Sequence, residues 1–130
     1  MPLHFLDTNV CIALLRGRAS AATLPAVADC ALSSITVAEL WAGAEKSTQR
    51  EKSAHAVHGF VELFAQLAFD RTAARHYGEI RAHLEKKGTP IGPLDQLIAS
   101  HARSLDAAII TANVREFRRV PGLRCVTWKA

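Results

Sequence analysis

Short apolar runs alternate along the chain with longer segments in which apolar residues recur every three or four positions. Short runs are typical of strands buried in a sheet, and the longer spacing is typical of helices that bury one face. The runs predict strands at Leu3–Leu6, Cys30–Ile35, Leu67–Phe69, Ala107–Thr111 and Arg124–Trp128. The spaced segments predict helices at Val10–Leu15, Ala21–Ala28, Thr36–Lys46, Gln49–Gln66, Arg71–Lys87 and Pro93–Leu105.

This alternation of strands and helices predicts the fold class. Helices that lie between successive strands connect parallel strands, and a parallel sheet is covered by helices on both faces. The segment Ala107–Thr111 is apolar almost throughout, as expected of a central strand. We therefore predict an α/β fold in which residues 1–130 form a single domain, with a short parallel sheet of four to five strands covered on both faces.

Three acidic residues stand where strands give way to helices. Asp7 closes the first predicted strand, and Glu39 and Asp95 fall in the first turns of their predicted helices. Ligands of such folds bind at the edge of the sheet where the strands end, and helix starts share that edge. We expect the three acids to meet there. Four polar residues are expected beside them: Thr8, Asn9, Thr111 and Asn113.

Each acid also has a purely structural explanation. Asp7 could cap the first helix, Thr36–Glu39 has the pattern of a capping box, and Asp95 suits the positive end of a helix. Three carboxylates at one edge would nevertheless repel one another, and a hard cation would remove that repulsion. No histidine stands at metal-ligand spacing from them, which argues against zinc. The acids therefore favour Mg²⁺, with Mn²⁺ able to substitute.

Five segments carry a resemblance to a known family. They are Leu6–Asn9 (LDTN), Ser33–Leu40 (SSITVAEL), Gly43–Ala44 (GA), Ile91–Ala99 (IGPLDQLIA) and Thr111–Phe117 (TANVREF). Together they resemble the PIN-domain ribonucleases, and in particular the VapC toxins of toxin–antitoxin pairs. The resemblance extends over nearly the whole chain.

The resemblance implies a metal-dependent endoribonuclease. Asp7 and Asp95 would bind the metal, and Glu39 would bind it or position the attacking water. Asn113 would occupy a fourth catalytic position that is often Asp in the family. Thr8, Asn9 and Thr111 would orient these groups or contact phosphate.

The same resemblance implies partners. The substrate would be a structured RNA, with tRNA as the leading candidate. A small VapB-type antitoxin would restrain the enzyme, and the toxin would form a homodimer within a larger toxin–antitoxin complex. Apolar surface around Trp41 and along Val57–Phe64 could bind the antitoxin or form the dimer, and the sequence leaves both open.

Charge supports a polyanionic partner. The net charge is +4, and residues 70–130 hold eleven Lys and Arg against six Asp and Glu, whereas residues 1–69 hold five against six. A basic half favours nucleic acid. Arg115, Arg118 and Arg119 fall near the proposed edge and could contact phosphate.

The chain contains no apolar run of membrane-spanning length. Its N-terminus also lacks the basic and apolar pattern of a secretory signal. We therefore expect a cytoplasmic protein with no membrane partner.

Two other functions fit part of the sequence. A phospho-receiver signalling domain has a similar length and alternation, with Asp70 as the phosphate acceptor after the third strand. It would need a second acid near the first strand, and it leaves Glu39 and Asp95 unexplained. The other alternative is an RNA-binding relative of the same family without catalytic activity.

Overall fold

The computed structural model describes residues 3–129, which form a parallel sheet between two layers of helices. The strands are β1 (His4–Leu6), β2 (Cys30–Ser33), β3 (Ala65–Leu67), β4 (Ala108–Thr111) and β5 (Arg124–Thr127). The helices are α1 (Thr8–Leu15), α2 (Ser34–Lys46), α3 (Arg50–Val61), α4 (Arg71–Lys87), α5 (Pro93–Ser104) and α6 (Val114–Phe117). None of these helices is both long and apolar enough to span a membrane.

The sheet has the order β3-β2-β1-β4-β5, and every neighbouring pair is parallel. This confirms the predicted fold class, with five strands in the sheet. Phospho-receivers have their strands in the order 2-1-3-4-5, with β3 inside the sheet. Here β3 lies at an edge, and Asp70 caps α4 by accepting a hydrogen bond from the Ala73 N–H. The receiver alternative is therefore wrong.

Alternate residues of the central strands fill two apolar layers. Leu6 and Ile110 face the layer that contains α1, α2 and α3, whereas Ile109 packs with residues of α4, α5 and α6. Phe5 points to the same side as Ile109, against Ala102 of α5. This period of two fixes which side of each strand is buried, because a slip by one residue would exchange the two layers. The core thus holds the ends of β1 and β4 in register, where Leu6 pairs with Ile110.

Most predicted elements are present, with their ends displaced by one to a few residues. The bounds predicted for α4 are those observed, and the helix ends at Gly88, whose φ of +65° suits glycine. The predicted helix at Ala21–Ala28 is wrong. Two single 3₁₀ turns replace it, Ala21–Thr23 and Val27–Asp29. Pro25 lies between them and favours the extended conformation of the preceding Leu24, which breaks a continuous helix.

The helix α2 begins earlier than predicted. Ser33 ends β2 and accepts a hydrogen bond from the Ile35 N–H, so that it caps α2 in place of Thr36. The predicted capping box is therefore wrong. Thr36 is buried inside the helix, and Glu39 lies in the second turn rather than the first.

The helices α4 and α5 run antiparallel to each other. Arg103, near the end of α5, donates to His76 and forms an ion pair with Glu79, both in the first half of α4. A short loop joins the end of α4 to the start of α5. The basic end of α4, with Lys86 and Lys87, therefore lies on the same side of the molecule as the start of α5.

A buried polar link ties α2 to α5. The Ser33 hydroxyl lies 2.8 Å from His101 Nδ1, and both residues are almost fully buried. The imidazole packs edge-on against Phe5 and Phe69, and burial lowers its pKa, which favours the neutral ring. Because Ser33 receives the Ile35 N–H, its own hydroxyl proton is free to be donated to Nδ1 of the neutral ring.

Ser33→Ala should lower the free energy of unfolding by about 1–3 kcal/mol. The change removes a helix cap and leaves His101 Nδ1 without a partner in the core. Ser20→Ala is the matched control, since Ser20 caps an exposed 3₁₀ turn and should cost less than about 1 kcal/mol. Urea denaturation of both variants measures the difference, and equal losses would contradict the structural role of the buried link.

Candidate active site

Asp7 lies at the junction of β1 and α1 and is almost completely buried. Asp7 is the N-cap residue of α1, but its carboxylate makes no well-formed capping hydrogen bond. The backbone N–H groups of Thr8 and Asn9 are near enough only to lower its pKa. Asp7 Oδ2 instead accepts a hydrogen bond of 2.8 Å from Thr111 Oγ1, at the end of the neighbouring β4. This hydrogen bond is a contact through which Thr111 could orient Asp7, the role predicted for it.

The environment of Asp7 disfavours its charge. Burial raises the pKa of Asp7, and the negative charge of Glu39 raises it further. The Thr111 hydroxyl and the backbone N–H groups of Thr8 and Asn9 lower it. The net shift is upward, so holding a charged carboxylate here costs free energy. Asn9 acts on Asp7 through its backbone, and its side chain is exposed. A phosphate contact by the Asn9 side chain stays a prediction.

Glu39 is held in place by the start of α1. Thr8 Oγ1 donates a hydrogen bond of 2.7 Å to Glu39 Oε1 and lies 3.2 Å from Thr36 Oγ1. Thr8 and Thr36 are both buried, whereas Glu39 is half-buried. Thr8, which follows Asp7 directly, therefore links the first acid to the second.

Asp95 is the third residue of α5 and is half-buried. Its pKa is raised to about 6, first by burial and then by the charges of Asp7, Glu116 and Glu39. Charges act on one another in this way only over short distances, so the structure brings the three predicted acids together at one edge of the sheet.

Glu116 is a fourth acid that sequence analysis did not identify. Its Oε2 accepts a hydrogen bond of 2.9 Å from the Asn113 side-chain amide, and its charge contributes to the raised pKa of Asp95. Asn113 itself is anchored by a 2.8 Å hydrogen bond from its backbone N–H to Thr111 Oγ1. The spacing of three residues would have indicated a shared face, had α6 been predicted as a helix.

The four acids form a loose cluster rather than a closed ligand cage. Within residues 3–129, no three His, Cys, Asp or Glu side chains are close enough to hold a metal ion as they stand. Their chemistry nevertheless fits a hard divalent cation, since all the donors are oxygens and their mutual repulsion would be relieved by positive charge. Asp7, Glu39 and Asp95 could hold the ion, and Glu116 adds an acid where the predicted fourth residue, Asn113, is neutral.

Three exposed arginines lie in and directly after the helix that carries Glu116. Arg115 and Arg118 are exposed on and directly after α6, the helix that carries Glu116. Arg119 is also exposed and donates a hydrogen bond to the Pro90 carbonyl, in the loop before α5. Arg115 and Arg118 are thus close in sequence to Glu116, and a phosphate contact by these arginines stays a prediction.

An open groove leads away from the acidic edge between α1, α2 and α3. Its volume is about 550 Å³, and Glu39 lies among its lining residues. Most of the floor is apolar, with Ile12, Leu15, Leu40, Ala44 and Val57, and the remaining lining comprises Arg16, Gly43, Lys46, Ser47, Thr48, Ser53 and Ala56. The groove is thus apolar in the middle, acidic at Glu39 and basic at Arg16 and Lys46.

The apolar surface predicted along Val57–Phe64 is largely internal. Val57, Val61 and Phe64 belong to the core, which leaves Leu63 exposed on this segment. Trp41 is 37% exposed and lines a smaller hollow of about 230 Å³ between α2 and α3. The larger groove beside it was not foreseen, because its walls come from three separate helices.

The chain is similar to known proteins over nearly its whole length. The PIN-domain family model matches residues 4–123. The tRNA(fMet)-specific endonuclease VapC of Salmonella typhimurium is 44% identical over 127 residues, which cover 95% of this chain and 96% of the relative. Ribonuclease VapC2 of Haemophilus influenzae is 40% identical, with 96% and 97% covered.

A solved structure is also similar over its full length. It is the DNA-bound VapBC complex of Salmonella typhimurium, with a TM-score of 0.93, 42% identity, and coverage of 99% of this chain and 100% of that one. The family model and these relatives agree with the motifs and the strand order. The chain therefore belongs to the PIN-domain family, in the branch formed by the VapC ribonucleases.

Proposed function

We propose that the chain is the toxin of a toxin–antitoxin pair, a cytoplasmic endoribonuclease that hydrolyses RNA phosphodiester bonds with the help of Mg²⁺. One observation carries the proposal: Asp7, Glu39, Asp95 and Glu116 share one edge of the sheet, where burial first and then the charges of Asp7, Glu116 and Glu39 raise the pKa of Asp95 to about 6. Burial and mutual repulsion disfavour the ionised carboxylates, and a bound divalent cation would offset both effects. Mn²⁺ has the same ligand preference and should replace Mg²⁺.

The residues divide the chemistry between them. A bound Mg²⁺ would lower the pKa of a water molecule and place a positive charge beside the phosphoryl oxygens. Asp7 and Asp95 would hold the ion. Thr8 occupies Glu39 Oε1, so Oε2 is the oxygen that would accept the proton of the attacking water. Thr111 keeps Asp7 in place, and Asn113 does the same for Glu116.

Asp7→Asn should lower Mg²⁺-dependent RNA cleavage by more than roughly 100-fold, because the chief metal ligand loses its charge. The fold should survive. The amide oxygen of the introduced side chain can still accept the Thr111 hydrogen bond, and since the pKa of Asp7 is raised, removing its charge should leave the metal-free protein as stable as before or more so at pH 7. Cleavage assays with purified protein, together with thermal melts, measure both effects.

Asp106→Asn is the matched control for this substitution. Asp106 is exposed in the turn before β4, and its positive φ of 52° is one that asparagine adopts readily. The Asp106→Asn variant should cleave RNA at the wild-type rate. Wild-type cleavage by Asp7→Asn, or full activity of the wild type in a chelator, would exclude the metal mechanism. A wild type that binds RNA but does not cleave it with Mg²⁺ would instead favour the inactive RNA-binding relative.

The proposed substrate is a tRNA. A relative that is 44% identical carries the name tRNA(fMet)-specific endonuclease, and the exposed arginines beside the acidic edge can bind a phosphate backbone. Arg115 and Arg118 are suited to this role because neither forms an ion pair among the described residues. Residues three apart at a helix lie on one face, so the two arginines would contact the RNA backbone from the same side.

Replacing Arg115 and Arg118 together by Ala should weaken tRNA binding and reduce its dependence on salt. Each lost phosphate contact lowers the slope of log affinity against log salt by about one. Lys52→Ala is the control. Lys52 is exposed at the start of α3, which follows the end of α2, whereas Glu39 lies in the second turn of α2. Filter binding at several salt concentrations provides the slopes. A slope unchanged in the double variant would rule out these arginines as backbone contacts.

The proposed antitoxin is a VapB-type protein that inserts a short segment into the groove between α1, α2 and α3. The similar solved structure is a VapBC complex, and the groove has the apolar floor that a partner segment needs. Its acidic end at Glu39 would receive a basic residue of the partner, which would neutralise the carboxylates in place of the metal. A homodimer of the toxin within the larger complex stays a prediction.

Ala56→Arg should abolish co-purification with the product of the adjacent gene and leave RNA cleavage intact. Ala56 is exposed on α3 and lines the groove, so a long charged side chain would fill the groove without disturbing the core. Ala42→Arg, exposed on α2 outside the groove lining, should bind the partner normally. Binding by Ala56→Arg would show that the partner lies elsewhere, and a wild type that binds no such partner would overturn the toxin–antitoxin assignment.

A further inference from the structure

Gly92 occupies the N-cap position of α5, directly before Pro93. Its backbone has φ of −53° and ψ of 143°, a conformation open to every residue and the usual one before proline. Serine or aspartate would cap the helix better than glycine. Neither the backbone conformation nor capping therefore explains a glycine at this position.

The Asp95 carboxylate offers an explanation. A Cβ atom at residue 92 would lie 3.3 Å from Asp95 Oδ2 and 3.9 Å from its Cγ. By contrast, a Cβ atom at Gly43, Gly59 or Gly78 would meet nothing within 4 Å. The Asp95 carboxylate thus lies against the bare Cα of Gly92.

A Cβ atom at residue 92 would force the Asp95 carboxylate to shift. The Asp95 backbone is fixed in the first turn of α5, and the side chain has only two rotatable bonds. Asp7, Glu39 and Glu116 are close enough to act on it with like charge. A methyl group at residue 92 would therefore turn the carboxylate to a different orientation or press it towards other negative charges.

We propose that Gly92 is a positioning residue for Asp95, because its missing side chain leaves the space in which the carboxylate takes the orientation needed to bind the metal. The inference rests on the proposed metal-dependent function. Mg²⁺ requires oxygen ligands in near-ideal octahedral positions, so a displacement of a few tenths of an ångström at one ligand weakens binding.

Gly92→Ala and Gly92→Ser test the proposal, with Gly78→Ala as the matched control. Mn²⁺ alone is titrated into each protein, and free Mn²⁺ is followed by electron paramagnetic resonance. Both Gly92 variants should bind Mn²⁺ roughly tenfold more weakly, the loss typical of a disturbed metal ligand. Gly78→Ala should bind like the wild type. Cleavage kinetics should show a lower kcat for the Gly92 variants, with an unchanged KM for RNA.

Folding stability separates this role from a structural one. Serine at residue 92 can cap α5, so Gly92→Ser should melt at or above the wild-type temperature while it still loses metal affinity. A glycine needed only for folding would show the reverse, a lower melting temperature with normal Mn²⁺ binding and kcat. That result would overturn the proposal.

A double-variant cycle tests whether the effect passes through Asp95. In an Asp95→Ala background the carboxylate is gone, so adding Gly92→Ala should cause no further loss of Mn²⁺ affinity. An additional tenfold loss in the double variant would overturn the proposal. A wild type that binds no Mn²⁺ would overturn the proposed function itself, whereas equal binding by wild type and Gly92→Ala would overturn only the role of Gly92.

Discussion

Burial of the Asp7 carboxylate at the end of a central strand costs free energy, and much of the surrounding architecture offsets that cost. The end of β4 supplies the Thr111 hydroxyl, and the start of α1 supplies two backbone N–H groups. These donors only partly compensate, since the pKa of Asp7 remains raised. The register of β1 with β4 is therefore a functional constraint as well as a packing one, because it sets Thr111 opposite Asp7.

The acids of the site are held by neutral groups. Thr8 binds Glu39, Thr111 binds Asp7, and the Asn113 amide binds Glu116. The ion pairs found within residues 3–129 all involve other acids, namely Glu45, Glu79, Glu85 and Asp106. An arginine or lysine in place of these neutral donors would have neutralised the negative charge of the cluster permanently. Neutral donors fix the carboxylates in place and leave their charge available to a cation.

The sequence predicts those parts of the fold that depend on local patterns. The bounds of α4 were predicted to the residue because Gly88, which ends the helix, is its direct neighbour in sequence. The same reasoning placed Asp7, Glu39 and Asp95 at one edge, since the position of an acid at the end of a strand or the start of a helix follows from the parallel arrangement.

Predictions failed where local patterns competed with one another or where contacts were distant. Thr36 was assigned as a cap because its spacing to Glu39 fits a capping box, yet Ser33 lies earlier and is also bound to His101, far along the chain. Glu116 was missed because α6 has four residues, too few to show a helical period. The partnership of Asn113 with Glu116 therefore could not be inferred from spacing alone.

Glu39 belongs both to the acidic edge and to the groove, and this shared position couples the two. In the proposed mechanism, the carboxylate that would serve the cation is the same one that a basic residue of a bound segment would meet. Two positive groups that use one carboxylate bind in competition, and the competition is reciprocal: a tightly held segment expels the cation, and a high cation concentration weakens the segment. The apolar floor between Ile12 and Val57 would shift that balance towards the segment, because it would add affinity that the cation cannot match. Inhibition of this kind would require no change in the fold, only occupation of the groove that ends at Glu39.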